Sequence, residues 1–321
     1  MRKRVELQEK TGGISKTVAI LVVIIVVLAA IAAVEPFLIP AREVTVTRTF
    51  TTTVGAAQTI TQTITVEKTV PGVVKDVVWE NIQKRGTIIV GTSPDWPPFE
   101  FLDPKTGKLI GFEVELMELI AERLGLKVDW RTMDFATIIV AVEHKDIDLG
   151  VSGFSVTPER LEVVQYTLYH TITESQLIML KDKAEKLGIT QLEKLEQVAD
   201  YKLIVGTGSG TTQEAELMDL VKRGVISSDA ARSYDDFGVA LEDLKLGRID
   251  ALYAETPITT WWIMTEETPL VVIFSEPYWP VAFIAHKDSD ELVSKINGAL
   301  SELIVEGKVA ELYKKWTTPP S

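Results

Sequence analysis

Cysteine is absent from the 321 residues of the chain, and this absence excludes several kinds of chemistry. Without a thiol the chain forms no disulfide, has no thiolate nucleophile or metal ligand, and carries no lipid-modified cysteine anchor. Any attachment to a membrane must therefore be made by the polypeptide itself.

Histidine is scarce as well, since the sequence holds only His144, His170 and His286. The three lie far apart, and none belongs to a recognisable nucleophile, metal-binding or acid–base motif. His144 stands in the acidic run EHKDID, which is typical of an exposed helix end. We therefore expect no catalytic residue, no metal and no cofactor.

Basic residues are outnumbered, with 33 Lys and Arg against 46 Asp and Glu and a formal net charge of −13. Such a surface repels nucleic acid, so we expect no nucleic-acid partner. An acidic balance otherwise serves solubility and says little about the charge of a ligand.

Long apolar runs are limited to one, Val18 to Val34, which as a helix spans roughly 25 Å. Because positive charges cluster before it, the pattern predicts an N-terminus inside the cell and the remainder outside. We interpret residues 1–40 as a basic N-terminus and a single membrane-anchoring helix. Two alternatives stay open: a cleaved secretory signal, and a signal resembling the archaeal pilin type, cut near Gly12 or Gly13.

Residues 41–72 are rich in Thr and Val and hold almost no large apolar side chain, so they cannot bury a core. The Thr/Val alternation is compatible with a strand, but a ribbon without partners is unstable. We therefore interpret this segment as a Thr-rich stalk that ends at Pro71 and Gly72.

From residue 73 onward, short β-branched runs such as TIIVGT, YKLIVGT and IDALYA alternate with helical segments, which is typical of an α/β sheet protein. The apolar periodicity predicts a helix over Phe112 to Leu124 that stops at Gly125. Ligand-like features fall in two stretches, near 91–160 and 206–256. This spacing predicts two lobes with a pocket between them.

The run VSGFSVTPER joins a strand end to a strong helix start at Thr157 and Pro158. Free backbone N–H groups, the Ser155 hydroxyl and the Arg160 guanidinium together make a seat for a carboxylate. A surface ion pair is the alternative interpretation of Arg160.

A second anion seat is predicted in VGTGSGTTQEA, where Thr211 and Glu214 are placed as a capping box at a helix start. The glycines Gly206, Gly208 and Gly210 recur every second residue, and no Lys-Ser or Lys-Thr pair follows them. This spacing argues against nucleotide binding.

Three further residues stand at element boundaries. Glu255 in IDALYAETPITT follows a strand and precedes a Pro-initiated helix, where its carboxylate either meets an ammonium group or serves as a helix-cap acid. Trp96 in GTSPDWPPFEF and Phe135 in MDFATI are placed to form aromatic walls, although each alone is more often a core residue.

Together with the C-terminal run NGALSELIVEGKVAELYKKW, these ordered motifs resemble the polar amino acid group of bacterial extracellular solute-binding proteins, the receptors of ABC importers. The resemblance covers about Trp79 to Trp316. It implies an α/β fold of the type II periplasmic-binding-protein kind, with two lobes joined by two hinge strands. Lobe 1 would comprise residues 73–172 and 281–321, and lobe 2 residues 173–280. The implied partners are a free amino acid and the permease and ATPase subunits of an importer.

The resemblance also implies the roles of individual residues. Arg160 would grip the α-carboxylate of the ligand, and Glu255 would receive its α-ammonium group where the family commonly has Asp. The other implied ligand contacts are Trp96, Phe135, Ser152, Gly153, Ser155, Thr211 and Thr212.

Two departures from the family pattern concern specificity. Ser93 lies where receptors for basic amino acids tend to have Asp, and Gly206 lies where some receptors for amides have Lys. The missing Asp at Ser93 disfavours strong selection for Arg, Lys or His, so we expect a neutral or polar amino acid, although Asp95 beside Trp96 would supply a negative charge if its turn faces inward.

Two rival functions share this fold. A dehydratase of aromatic amino-acid precursors resembles the family and would use Glu255 as an acid or base. A sensor would carry signalling segments beyond the binding domain, whereas this sequence ends at Ser321. We therefore favour a receptor without enzymatic activity, held at the cell membrane by one helix with its binding domain outside.

Overall fold

The computed structural model describes residues 42–53, 59–70 and 77–318. The chain separates into two compact units, residues 1–75 and 76–321. The predicted membrane anchor, residues 1–40, lies outside the described residues. Within the described ranges, no helix has both the length and the apolar character that crossing a bilayer requires.

The first unit contains a two-stranded antiparallel ribbon. Strand β1 (Arg42–Thr53) pairs with strand β2 (Thr59–Val70), with Arg42 opposite Val70 at the open end. We expected a stalk without strands here, because a strand needs a neighbouring strand to pair with. In the structure the two halves of the segment pair with each other. The role of residues 41–72 as a stalk stays a prediction.

The second unit alternates strands and helices, as the sequence predicted. Its strands are β3 (Thr87–Thr92), β4 (Asp95–Trp96), β5 (Glu100–Leu102), β6 (Leu109–Ile110), β7 (Lys127–Thr132), β8 (Leu149–Gly150), β9 (Val164–Tyr166), β10 (Thr171–Leu180), β11 (Val205–Gly208), β12 (Ala231–Tyr234), β13 (Ala251–Glu255), β14 (Leu270–Val281) and β15 (Ile284–His286). Its helices are α1 (Val77–Arg85), α2 (Phe112–Arg123), α3 (Phe135–Glu143), α4 (Pro158–Val163), α5 (Lys181–Leu187), α6 (Thr212–Lys222), α7 (Phe237–Lys245), α8 (Thr256–Thr265), α9 (Asp290–Val305) and α10 (Lys308–Thr317).

Two five-stranded sheets define two lobes. The sheet of lobe 1 has the order β7-β3-β8-β15-β9, and that of lobe 2 the order β12-β11-β13-β10-β14. In each, three strands pair in parallel, and two further strands are added through antiparallel pairing, so that only the fourth strand in the order runs in the opposite direction. The small antiparallel sheet β4-β5-β6 stands apart from both.

The chain passes between the two large sheets twice in the described residues, from β9 to β10 and back from β14 to β15. Thr171 and Val281 face each other in the register of β10 and β14 at this crossing. A mixed α/β fold with two lobes, as predicted, is thereby confirmed. The exact boundaries at 172/173 and 280/281 stay predictions.

The helix predicted over Phe112 to Leu124 is confirmed as α2. Phe112, Leu116 and Ile120 recur on one face and are fully buried in the core of lobe 1. The helix ends where Gly125 adopts a φ of 68°, a left-handed conformation that glycine takes at little cost.

Loops at the carboxyl ends of the parallel strands converge on the space between the lobes. Strands β3 and β8 lead into the segments that carry Ser93 and Ser152, while β11 leads into Thr211 and β13 ends at Glu255. Ligands of open α/β sheets bind at this edge, so the topology brings the predicted residues together from four distant parts of the sequence.

Candidate ligand-binding site between the lobes

A cavity between the lobes has an empty volume of about 400 Å³, which includes space open to solvent. The residues that line it are Asp95, Trp96, Glu100, Phe135, Ser152, Gly153, Ser155, Arg160, Thr211, Thr212, Gln213, Phe237 and Glu255. Ten of the eleven predicted ligand contacts thus line the cavity. The eleventh, Ser93, does not line it but donates a hydrogen bond to Asp95, which does. The contact of these residues with a ligand stays a prediction.

Arg160 is held at the cavity by its own helix start. The Thr157 hydroxyl caps α4 by accepting a hydrogen bond from the Arg160 backbone N–H at 3.2 Å. The guanidinium is almost fully buried and donates to the backbone carbonyls of Ser155 and Gly210, each at 3.1 Å. Since a guanidinium has five N–H donors, donors remain for a carboxylate in the cavity.

Glu255 faces Arg160's side of the cavity from the other lobe. Its Oε1 accepts from the Ser155 hydroxyl at 2.5 Å and its Oε2 from the Thr173 hydroxyl at 2.6 Å. Burial raises the pKa of the Glu255 carboxyl, and the hydrogen bonds from Ser155 and Thr173 oppose that effect, as does the charge of Arg160. The carboxylate is therefore oriented and partly stabilised before any ligand arrives.

The start of α6 brings three residues of lobe 2 to the cavity, Thr211, Thr212 and Gln213. Thr211 caps the helix by accepting from the Glu214 backbone N–H at 3.1 Å. The predicted capping box is only half formed, because the Glu214 side chain accepts from the Gly210 N–H instead of returning to Thr211. The Thr212 hydroxyl is buried without a hydrogen-bond partner, which leaves it available to a ligand.

Aromatic rings form the apolar wall. Phe135 stacks on Phe154 at a centroid distance of 4.8 Å, and the Arg160 guanidinium lies 5.6 Å from the Phe135 ring. Across the cavity, Trp96 presses on Gly153, whose φ is 58°. A Cβ at that glycine would lie 2.2 Å from a ring carbon of Trp96, so both the backbone conformation and the lack of space require glycine.

Asp95 connects the two lobes. Its Oδ1 accepts from the Ser93 hydroxyl at 2.6 Å, and its Oδ2 accepts from the backbone N–H of Phe237 at 3.0 Å, at the start of α7 in lobe 2. Burial raises the pKa of Asp95, while these two hydrogen bonds lower it. With the Ser155–Glu255 contact, this bond shows that the lobes are closed on each other.

Glu100 is the least expected member of the wall. Its side chain is fully buried, its Oε1 accepts from the Ser152 hydroxyl at 3.0 Å, and its Oε2 has no hydrogen-bond partner. Burial, followed by the nearby charge of Glu113, raises the pKa of the Glu100 carboxyl well above its usual range.

Sequence reasoning missed Glu100, Gln213 and Phe237 as cavity residues. An acidic residue inside the apolar run PPFEF was a usable signal for Glu100, since such a residue is rarely buried without a role. No comparable signal marked Phe237, because its position follows from how the two lobes meet.

Comparison with known proteins places the chain in a family. The model of the bacterial extracellular solute-binding proteins, family 3, matches residues 88–319. The chain belongs to this family. The L-cystine-binding protein TcyJ of Escherichia coli (strain K12) is 27% identical over 238 residues, which cover 73% of this chain and 84% of that protein.

Two further proteins are each 29% identical to this chain. The probable ABC transporter arginine-binding protein ArtJ of Chlamydia trachomatis is 29% identical over 236 residues, covering 71% of this chain and 84% of the relative. A crystal structure of a mutant of ArgBP from T. maritima superposes with a TM-score of 0.68 at 29% identity, over 75% of this chain and 99% of that one.

Proposed function

We propose that this protein captures a free amino acid with a cationic side chain outside the cell and hands it, chemically unchanged, to an ABC-type importer. Family membership and relatives that bind arginine or cystine support the amino-acid class. The observation that carries the finer assignment is the charge of the cavity wall, where three carboxyl groups stand against one guanidinium.

The α-carboxylate and α-ammonium groups of an amino acid together require one positive and one negative partner in the cavity. Arg160 is suited to its carboxylate, because a planar fork of donors matches two oxygens. Glu255 is suited to its ammonium group, with the ligand's two charges divided between the lobes. A ligand that bridges both residues stabilises the closed conformation.

Two acids, Asp95 and Glu100, are then left for the ligand's side chain. A guanidinium or ammonium group can form an ion pair with a carboxylate there, whereas a neutral side chain forms none. The aromatic faces of Trp96 and Phe135 suit the aliphatic stem and planar head of arginine.

This proposal revises the expectation of a neutral or polar ligand, which rested on Ser93. The Ser93 hydroxyl does not stand alone at its position but donates to Asp95, so that the negative charge is present two residues later in the same turn. Glu100, which that expectation ignored, adds a second acid.

The experiment that tests the assignment is mass spectrometry of small molecules released from purified, denatured protein, followed by calorimetric titration with the compound found. Recovery of arginine, lysine or another basic amino acid, bound again by the emptied protein, supports the proposal. Recovery of only neutral or acidic compounds contradicts the ligand class.

The enzyme alternative keeps one supporting observation, the raised pKa of Glu255, which is a property of many catalytic acids. Against it, both oxygens of that carboxyl accept hydrogen bonds from the Ser155 and Thr173 hydroxyls, which favour its charged form. Incubating the protein with its ligand and with aromatic amino-acid precursors decides between the two, because a dehydratase would release a changed product.

The tether completes the proposal. Residues 1–40 anchor the receptor, and residues 41–72 hold the binding unit away from the membrane beside the permease and ATPase subunits. Membrane fractionation with N-terminal sequencing tests this. Native protein recovered wholly from the soluble extracellular fraction, beginning beyond Val34, would show that the helix is only a signal.

A further inference from the structure

A second buried acid, Glu113, lies near Glu100 behind the cavity wall. Glu113, in the first turn of α2, is fully buried and accepts a hydrogen bond from the Gly153 backbone N–H at 2.9 Å. Its other oxygen lies 2.7 Å from Nε2 of His170, which precedes the crossing strand β10. Two carboxyl groups and one imidazole therefore share the interior of lobe 1.

The hydrogen-bond partners of the two acids differ. Glu113 has a partner at each oxygen, the Gly153 backbone N–H and Nε2 of His170. Glu100 has one hydroxyl donor, from Ser152, and an oxygen with none.

The charges that face Glu100 make a second anion here unfavourable. Glu113 approaches it from α2 and Asp95 from β4, both negative, while Ser152 after β8 is neutral. Arg160 is the only cation among the residues lining the cavity, and the carboxylate of Glu255 faces it. A buried carboxylate with no positive partner takes up a proton instead.

We propose that Glu100 selects the ligand's side chain by proton exchange: a cationic side chain displaces the Glu100 proton to solvent as it binds, and a neutral one leaves it in place. This rests on the proposed function and deepens it. The carboxyl O–H bond breaks, the proton passes to water or buffer, and the carboxylate pairs with the ligand's cation.

The exchange conserves the buried charge, which is its physical advantage. One positive charge enters on the ligand and one leaves as the proton, so the interior around Glu113 and Asp95 gains no net charge. A neutral amide side chain meets a protonated carboxyl instead, which can donate a hydrogen bond to its carbonyl but forms no ion pair.

The pH dependence follows with a definite sign. Below the pKa of Glu100 in the empty protein, binding of a cationic ligand releases a proton, so its affinity rises by about tenfold per pH unit. Above that pKa the carboxylate is already formed, and the affinity levels off. A neutral ligand shows no such rise from Glu100.

Calorimetric titration of the full chain with L-arginine, in buffers of different ionisation enthalpy, counts the protons released. We expect about one proton per arginine at a pH below the pKa of Glu100 and none with L-glutamine. Glu100→Gln, which keeps the size and an oxygen for Ser152, should remove the release and flatten the pH profile for arginine. Arginine binding without proton release, or release unchanged by Glu100→Gln, would overturn the proposal.

A second variant separates proton exchange from simple support of the fold. Glu113→Gln keeps an oxygen for the Gly153 N–H but removes the charge that helps Glu100 hold its proton. The rise in arginine affinity should then level off at a lower pH, a shift that loss of packing alone does not produce. Protein that binds no basic amino acid, L-lysine included, refutes the proposed function, whereas arginine binding without proton release refutes only this mechanism.

Discussion

Both ends of the cavity hold acidic residues, but the hydrogen bonds made by their carboxyl oxygens differ. At the end of Arg160 and Glu255, every carboxylate oxygen has a hydroxyl donor, and acid and base face each other from separate lobes. At the end of Asp95 and Glu100, one acid is used to join the lobes and the other has an oxygen without a partner. We therefore propose that the first end recognises what all amino acids share, while the second discriminates among side chains.

The largest effect should follow from removing Arg160. Arg160→Ala leaves the ligand carboxylate desolvated and unpaired, which typically costs roughly 2–5 kcal/mol, or a loss of affinity on the order of thirtyfold or more. Arg160→Lys should recover only part, because an ammonium lacks the forked geometry. Calorimetric titration with the cognate amino acid is the measurement, and near wild-type affinity in a folded Arg160→Ala protein would remove Arg160 from the site.

A somewhat smaller loss is expected for Glu255→Gln. The amide keeps the shape and one acceptor but loses the charge that faces the ammonium group. A hydrogen bond to a charged group is worth about 1.5–3 kcal/mol, so affinity should fall at least about tenfold for every amino acid bound. The ligand should come back unchanged from both proteins. Conversion by the native protein that this variant abolishes would instead favour an enzyme.

Asp95→Asn should act on selectivity more than on affinity. Its oxygen can still accept from the Phe237 N–H, and its amide can donate to the Ser93 hydroxyl, so the closing contact is kept while the charge is lost. The affinity for L-arginine should fall a few-fold, about 1 kcal/mol or less, with little change for L-glutamine. Equal losses for both ligands would mean that Asp95 serves closure alone.

The smallest effect concerns Glu216, an acid outside the residues that line the cavity. Burial raises its pKa to about 7, and the Tyr253 hydroxyl donates to it at 2.5 Å. Because the folded protein holds this proton more tightly than the unfolded chain, the resulting stabilisation is complete below the unfolded pKa and is lost as pH rises through about 7.

Thermal unfolding of Glu216→Gln against pH measures this contribution. The variant should lose part of the decline in Tm between mildly acidic and neutral pH while binding its ligand as the native protein does. It is thus the matched control for Glu255→Gln, the same substitution at a half-buried acid on the same lobe. A loss of affinity in Glu216→Gln would show that ligand binding also depends on an acid that does not line the cavity.

The amino-acid sequence by itself predicted the alternation of strands and helices in the second unit and most of the residues that line the cavity. Helix α2 and the capping position at Thr157 follow from local rules of spacing and hydrogen bonding, and the order of motifs pointed to two lobes. Arg160 and Glu255 were identifiable because each stands where a strand meets a helix start, a position that depends on neighbours in sequence.

Only the tertiary structure decided which residues meet across the lobes and in what protonation state. The bond from Asp95 to the Phe237 N–H joins residues 142 positions apart, and no local pattern encodes it. The burial of Glu100 against Glu113 likewise depends on α2 packing behind the cavity wall. Charge and pKa are set by the surroundings of a group in space, so the sequence marked Asp95 and Glu255 as candidates, whereas only the fold brought Glu100 to the cavity wall and determined the hydrogen-bond partners of each acid.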